Sequence, residues 1–425
     1  MNTFKPKYGK SSFFSKSFGN LHTLLPKYRF GALVVFVILW VIYFGGVPLS
    51  PFGHRGRHNE MPRSHPLTSK HIIETSSKYI YPPVEHAMQL KQLGVENLVE
   101  EIRVRDANFP EIEKSVIRSL NFYDHPNPLQ QKQKEDEENA ASDLAKAKNF
   151  FKNQDKIVFS PKSSSSYPEI VVVTAIDFEK YSLDALIKVV QNRVDYAHEQ
   201  NYGIYVRWYQ EFLPVLNSFS YLQHGEKRKW ARLYCLRAAM FAFPKAKWFW
   251  YIDEDGLIMD ISTDLNKYML EAEKLDPIML REQPIIPPSG LIKTYKNSKA
   301  ESAKLILTQS EEKVETSSFL VKNDVVGRAI VEIWGDTLFL NYPGFPNGPE
   351  SSLTHILQWH PFILSKTAIV PAKTIASKHT EIEADPEDKF AYVDGDFVVQ
   401  FADCAGPKCE QALNHYYTKF KSTSS

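Results

Sequence analysis

Two carboxylates one residue apart, Asp253 and Asp255, close a run of large apolar residues, Trp248-Phe249-Trp250-Tyr251-Ile252. The run predicts a buried strand. Alternate residues of an extended chain point the same way, so the two aspartates project together from the strand end. Paired oxygen ligands at the mouth of a sheet suit a hard divalent cation carrying a bound phosphate. A nucleotide-sugar diphosphate is the usual client of such a pair. Asp-x-Asp also occurs in ordinary loops, and the apolar strand directly before it is what favours the metal reading.

The preceding chain supplies elements able to position that pair. Glu169-Ile170-Val171-Val172-Val173-Thr174-Ala175 reads as a strand buried on both faces. Tyr181 to Gln200 carries a helical stripe of Leu183, Leu186, Ile187, Val190 and Val194. Gly203 to Trp208 predicts a second strand, Trp230 to Phe241 a second helix, and Trp248 to Ile252 a third strand. Strand, helix, strand, helix, strand is half of a doubly wound α/β fold. Ligands in such folds lie at the carboxyl ends of strands, where Asp253 and Asp255 fall.

Composition bounds the setting. With 51 Lys and Arg against 50 Asp and Glu there is no global field for nucleic acid, and that partner is not expected. Twenty-seven Phe and 21 Tyr supply core for one sizeable domain. From Phe30 to Leu49 no side chain is charged, a length that spans a bilayer as a helix. Lys5, Lys7, Lys10, Lys16, Lys27 and Arg29 precede it with no acidic residue. The positive-inside rule then gives a single-pass type II anchor with its C-terminal part lumenal, a cleaved signal peptide being the competing reading.

The expected organisation is a cytosolic tail over 1–29, an anchor over 30–49, a lumenal stem with helical segments over 50–166, and an α/β domain over 167–425. Within the stem, His86 to Arg105 and Glu111 to Phe122 show short amphipathic helical patterns, and Gln130 to Phe151 an exposed helix. Cys404 and Cys409 flank a turn-prone spacer that could let them pair in an oxidising lumen, and their spacing fits no common zinc pattern. Cys235 predicts a buried thiol, and Trp334 and Trp359 predict core packing, with stacking on an acceptor sugar as the alternative for each ring.

Four ordered blocks resemble glycosyltransferase family 34. They are Gln191-Asn192-Arg193-Val194-Asp195-Tyr196-Ala197 running on to Gly203, Trp230-Ala231-Arg232-Leu233 with Arg237, Pro244 to Asp260, and Asp394-Gly395-Asp396-Phe397-Val398-Val399-Gln400-Phe401-Ala402-Asp403-Cys404. Together they cover roughly Tyr167 to Lys419. Within that family they look most like fungal α-1,6-mannosyltransferase subunits of a mannan polymerase complex. The resemblance implies a GT-A type, Rossmann-like domain in the Golgi membrane that uses GDP-mannose and Mn²⁺ with retention at the anomeric carbon. It also implies sister mannosyltransferase subunits as partners and an N-glycan as acceptor.

Carried onto this sequence, the resemblance makes Asp253, Asp255 and Gln400 the metal ligands. Arg193, Arg232 and Arg237 become candidates for neutralising the leaving diphosphate, or else ordinary salt-bridging arginines. Thr174 and Asp177 become candidates for base or ribose contacts, Asp177 and Ser182 equally reading as helix caps. Glu350, at the start of a predicted helix, becomes the carboxylate beside the anomeric centre, a position the helix dipole also favours. The chain departs from the family pattern at Gln400, where a His is usual, at Glu254 and Gly256, and at Ser351. Those departures leave two further readings: a weak or silent subunit that scaffolds an active paralogue, and a relative using UDP-galactose.

Overall fold

The computed structural model describes residues 65–67, 72–97, 99–105, 113–119 and 156–424, apart from 164–166, 220–221, 287–289, 382–386, 402–403 and 405–406, together with a few isolated positions. The expected anchor and most of the expected helix over 130–151 lie outside the described residues. Among those described, no helix is long and apolar enough to cross a membrane.

The strands of the central sheet are, in chain order, β1 (Tyr79–Ile80), β2 (Ile170–Ile176), β3 (Gly203–Trp208), β4 (Trp248–Ile252), β6 (Leu305–Gln309), β7 (Val314–Lys322) and β8 (Thr367–Ile369). A smaller sheet holds β5 (Gly256–Ile258), β9 (Ser377–Lys378) and β10 (Val398–Gln400). Spatial order in the seven-stranded sheet is β8-β6-β7-β4-β2-β3-β1. β2 runs parallel to both β3 and β4, whereas β7 pairs antiparallel with β4.

The helices needed here are α1 (Leu183–Glu199), α2 (His224–Ala242), α3 (Pro349–Trp359) and α4 (Pro407–Ser424). All seven residues of β2 are buried. Its alternation divides the core: Ile170, Val172 and Ile176 pack with Leu186 and Val189 of α1 and Leu413 of α4. Val171, Val173 and Ala175 pack on the other face with Leu233, Leu236 and Ala239 of α2. Each fully buried Val or Ile contributes roughly 1.5–3 kcal/mol, so the strand is a main anchor of both layers. Because α1 and α2 cover opposite faces, the winding reverses at β2. The carboxyl ends of β2 and β4 therefore flank a topological switch point.

Four expectations are corrected. Glu113–Ser119 is a strand, not a helix, and pairs antiparallel with Val99–Arg105, so the helix expected over 86–105 is confined to Ala87–Asn97. Part of the expected stem belongs to the domain: Tyr79–Ile80 extends the sheet beside β3, and Leu90 and Leu93 enter the core. Trp334 is buried as expected, but Trp359 is 69% exposed.

Candidate active site

The two chains of contact that build the site start at the ends of β2 and β4. The turn after β4 is held from behind by Arg193 of α1, which is completely buried. Its Nη2 donates to the carbonyls of Asp253 and Gly256, each at 2.8 Å. Its Nη1 donates to Asn192 Oδ1 and its Nε to Thr174 Oγ1. Thr174 in turn donates to the carbonyl of Ile252 at 2.8 Å, tying β2 to β4. Burial pulls the Arg193 pKa down to about 9. These two residues therefore shape the site and do not line it.

The acidic side chains project into a pocket of about 180 Å³ lined by Asp177, Lys180, Arg232, Asp253, Asp255 and Glu350 among others. Arg232 of α2 joins two of the acids. Its Nε and Nη2 donate to Asp253 at 3.2 and 2.5 Å, and its Nη1 donates to Glu350 Oε1 at 2.9 Å and to Thr316 Oγ1 at 2.6 Å. Tyr251 also donates to Asp253, at 2.9 Å. Burial raises the pKa of Asp253, with Arg232 opposing. Burial lowers that of Arg232, but Asp253 and Glu350 reverse the effect and leave it raised.

Asp255 is engaged from the other side. Lys180 Nζ donates to both of its carboxylate oxygens at 2.5 Å, and the Tyr181 hydroxyl donates to Oδ1. Burial works against the Lys180 ammonium, yet Glu254 and Asp255 outweigh it and raise its pKa. Glu254 accepts from the backbone amide of Asp177 at 2.7 Å, and burial pushes its pKa well up. Asp177 accepts from Gln210 and from Arg228, and from the amide of Glu179 at 2.8 Å. Ser182, not Asp177, is the cap of α1. The Cys404–Cys409 disulfide expected as one possibility is formed, and both sulfurs lie within 4.8 Å of a carboxylate oxygen of Asp255.

Glu350 stands at the first turn of α3. Gly348 has φ +55° and turns the chain into the helix, a conformation that side chains other than glycine's rarely adopt, and Pro349 occupies the first helical position. Glu350 is 2% exposed, and its Oε2 has no hydrogen-bond partner among the described residues.

The structure thus brings Asp177, Arg232, Asp253, Asp255 and Glu350 to one pocket. It leaves Arg237 elsewhere, paired with Glu332 at 2.9 Å. Gln400 lines a neighbouring cleft instead, with its amide against Gly256, where a Cβ would come within 2.6 Å of Nε2. Lys180, Gln210 and Arg228 were missed by sequence reasoning, and Glu254 was noticed only as a departure from the family pattern. The signal for Lys180 was its place just past β2, at the same sheet edge as the aspartates. The carboxylate oxygens of Asp253 and Asp255 are the donor set a hard divalent cation takes, and the fit requires Lys180 to leave Asp255.

Residues 166–410 match the galactosyl transferase GMA12/MNN10 family. The chain belongs to that family. It is similar to the Saccharomyces cerevisiae protein described as probable alpha-1,6-mannosyltransferase MNN11, at 34% identity over 91% of this chain and 90% of the relative. An uncharacterized alpha-1,2-galactosyltransferase, C8D2.17 of Schizosaccharomyces pombe, is 28% identical over 63% of this chain and 80% of its own length. Among solved structures, a glycosyltransferase involved in glycosylation of the major capsid of PBCV-1 aligns with 58% of this chain and 100% of its own, at 11% identity and a TM-score of 0.38.

Proposed function

We propose that this chain is a retaining GT-A type hexosyltransferase that moves mannose from GDP-mannose onto an α-1,6-linked mannan backbone. It does so in the Golgi lumen, as a subunit of a mannan polymerase complex. The observation that carries the reading is the convergence of Asp253, Asp255 and Glu350 on one pocket at the switch point, with Arg232 between Asp253 and Glu350. The α-1,6-mannosyltransferase name of the 34% identical relative supports the sugar and the linkage.

In the reaction the bond from the anomeric carbon to the diphosphate breaks and its electron pair leaves on a phosphate oxygen. A new bond forms to an acceptor hydroxyl, whose proton passes to the released diphosphate. Mn²⁺ held by Asp253 and Asp255 would supply charge to offset the diphosphate. Lys180, once released from Asp255, adds a mobile positive charge beside the same leaving group. Glu350, with one oxygen held by Arg232 and the other without a partner among the described residues, is the carboxylate that would stabilise the anomeric carbon as it becomes electron-poor.

A second reading, a silent scaffold subunit, is favoured by one observation: Lys180 and Arg232 already neutralise both aspartates. Calorimetry of GDP and UDP with the full chain, with and without Mn²⁺, separates the readings. Manganese-dependent GDP binding, lost in Asp255→Asn, supports the mannosyltransferase. Preference for UDP would replace GDP-mannose by a UDP-sugar, and a folded protein that binds neither nucleotide would leave the scaffold.

A further inference from the structure

A second cleft, of about 490 Å³, opens beside the carboxylate pocket, and the two share Lys313, Glu315 and Ser317 as a common wall. Thr308 and Gln309 of β6 and Gln400 of β10 line it, with exposures of 0%, 6% and 5%. Four of their polar atoms have no hydrogen-bond partner among the described residues: Thr308 Oγ1, Gln309 Oε1, and both Oε1 and Nε2 of Gln400. Buried polar atoms are rarely left unmatched because desolvation without a partner is costly. Three such residues around one cleft mark a place built for a ligand.

The chemistry of the lining narrows the ligand. Gln309 is fixed, its Nε2 donating to the carbonyls of Pro284 and Ile285 at 2.9 and 3.0 Å, which leaves its Oε1 as an acceptor. Thr308 offers a hydroxyl, and Gln400 a donor and an acceptor side by side. These groups are neutral, and each suits a hydroxyl, which both gives and takes a hydrogen bond. The charged residues of the lining are four acids, Glu311, Glu312, Glu315 and Asp388, against Lys313 and Lys378, which disfavours an anion. Phe390 adds a half-buried ring for an apolar sugar face.

We infer that this cleft is the acceptor subsite, and that Gln400, Gln309 and Thr308 bind the hydroxyls of a neutral hexose one wall away from the donor pocket. The inference rests on the transferase reading above only in calling that hexose an acceptor. It gives Gln400 the task of reading sugar hydroxyls rather than ligating metal.

The test uses the full chain in a detergent without a sugar headgroup. Binding of α-1,6-mannobiose is followed by saturation-transfer NMR, and GDP with Mn²⁺ by calorimetry. Gln400→Leu is expected to weaken mannobiose at least tenfold, the order of one or two lost hydrogen bonds, and to leave GDP within twofold. Thr308→Val, a smaller change that keeps the strand shape, is expected to weaken mannobiose about fivefold and serves if Gln400→Leu does not fold. The inference is overturned if the wild type does not bind mannobiose, or if both variants bind it equally well. It also falls if Gln400→Leu loses manganese-dependent GDP binding instead. Mannobiose binding without any nucleotide binding would sink the transferase reading and leave the sugar cleft standing.

Discussion

Replacing Arg232 with methionine tests the reasoning about the site most directly. The guanidinium is 9% exposed as a side chain and lies between Asp253 and Glu350, at 11% and 3%. Methionine keeps much of the volume and removes the charge, so two buried carboxylates lose their common partner and Thr316 loses a donor. Breaking a buried ion pair from one side costs about 3–5 kcal/mol, because the charge left behind stays desolvated. For a domain of this size that lowers the melting midpoint by on the order of 10 °C, measurable by fluorimetry on the full chain. A second change, Glu350→Gln, made in the Arg232→Met background, removes one of the stranded charges. It should recover about 1–3 kcal/mol of coupling, whereas in the wild type it should only destabilise. A variant that melts with the wild type, or a double variant less stable than Arg232→Met alone, would refute the account of Arg232 as the shared counter-charge.

Two other perturbations have definite expected outcomes. Changing Cys404 and Cys409 together to serine removes a cross-link of sequence separation 5, worth about 2 kcal/mol in the chain-entropy account, and loosens the chain behind Asp255. Nucleotide affinity should fall along with urea resistance, and unchanged affinity would show that the disulfide does not support the site. Asp324 caps the helix Val325–Trp334 and pairs with Lys304 at 2.6 Å. Burial alone would raise its pKa, but Lys304 and the amide of Gly327 prevail and depress it. Its stabilisation is therefore complete above the unfolded carboxyl value and lost as pH falls through the depressed one. Urea midpoints at pH 7 and pH 3 should differ less for Asp324→Asn than for the wild type, and an equal difference would contradict the assignment.

Much of the fold was legible because the deciding signals were local. β3 and β4 have the boundaries expected from their apolar runs, and β2 and α1 are displaced by only one or two residues at an end. The strand Glu113–Ser119 was misread because a short run mixing charged and apolar residues fits two periods. In its partner, Ile102 and Val104 alternate with Arg103 and Arg105, the two-residue period that strands carry. The aspartate pair announced itself by sitting at the end of a hydrophobic strand. The rest of the site did not, since its contacts cross long separations: Lys180 meets Asp255 75 residues away, and Arg232 meets Glu350 118 away. Nothing local distinguishes Arg193, which supports the turn, from Arg232, which faces the pocket. Gln400 was placed by its strand but not by its side chain, whose direction depends on which cleft lies above β10.

The grip of Arg193 on the carbonyls of Asp253 and Gly256 has a bearing on ancestry. The turn takes its shape from main-chain oxygens, which every residue type supplies, and its charge from side chains, which a single codon change can replace. Shape and reactivity are therefore inherited separately. A duplicated gene can lose its acidic residues one by one while its product keeps the body that neighbouring proteins recognise. By that path a family of transferases can furnish its own inert companions.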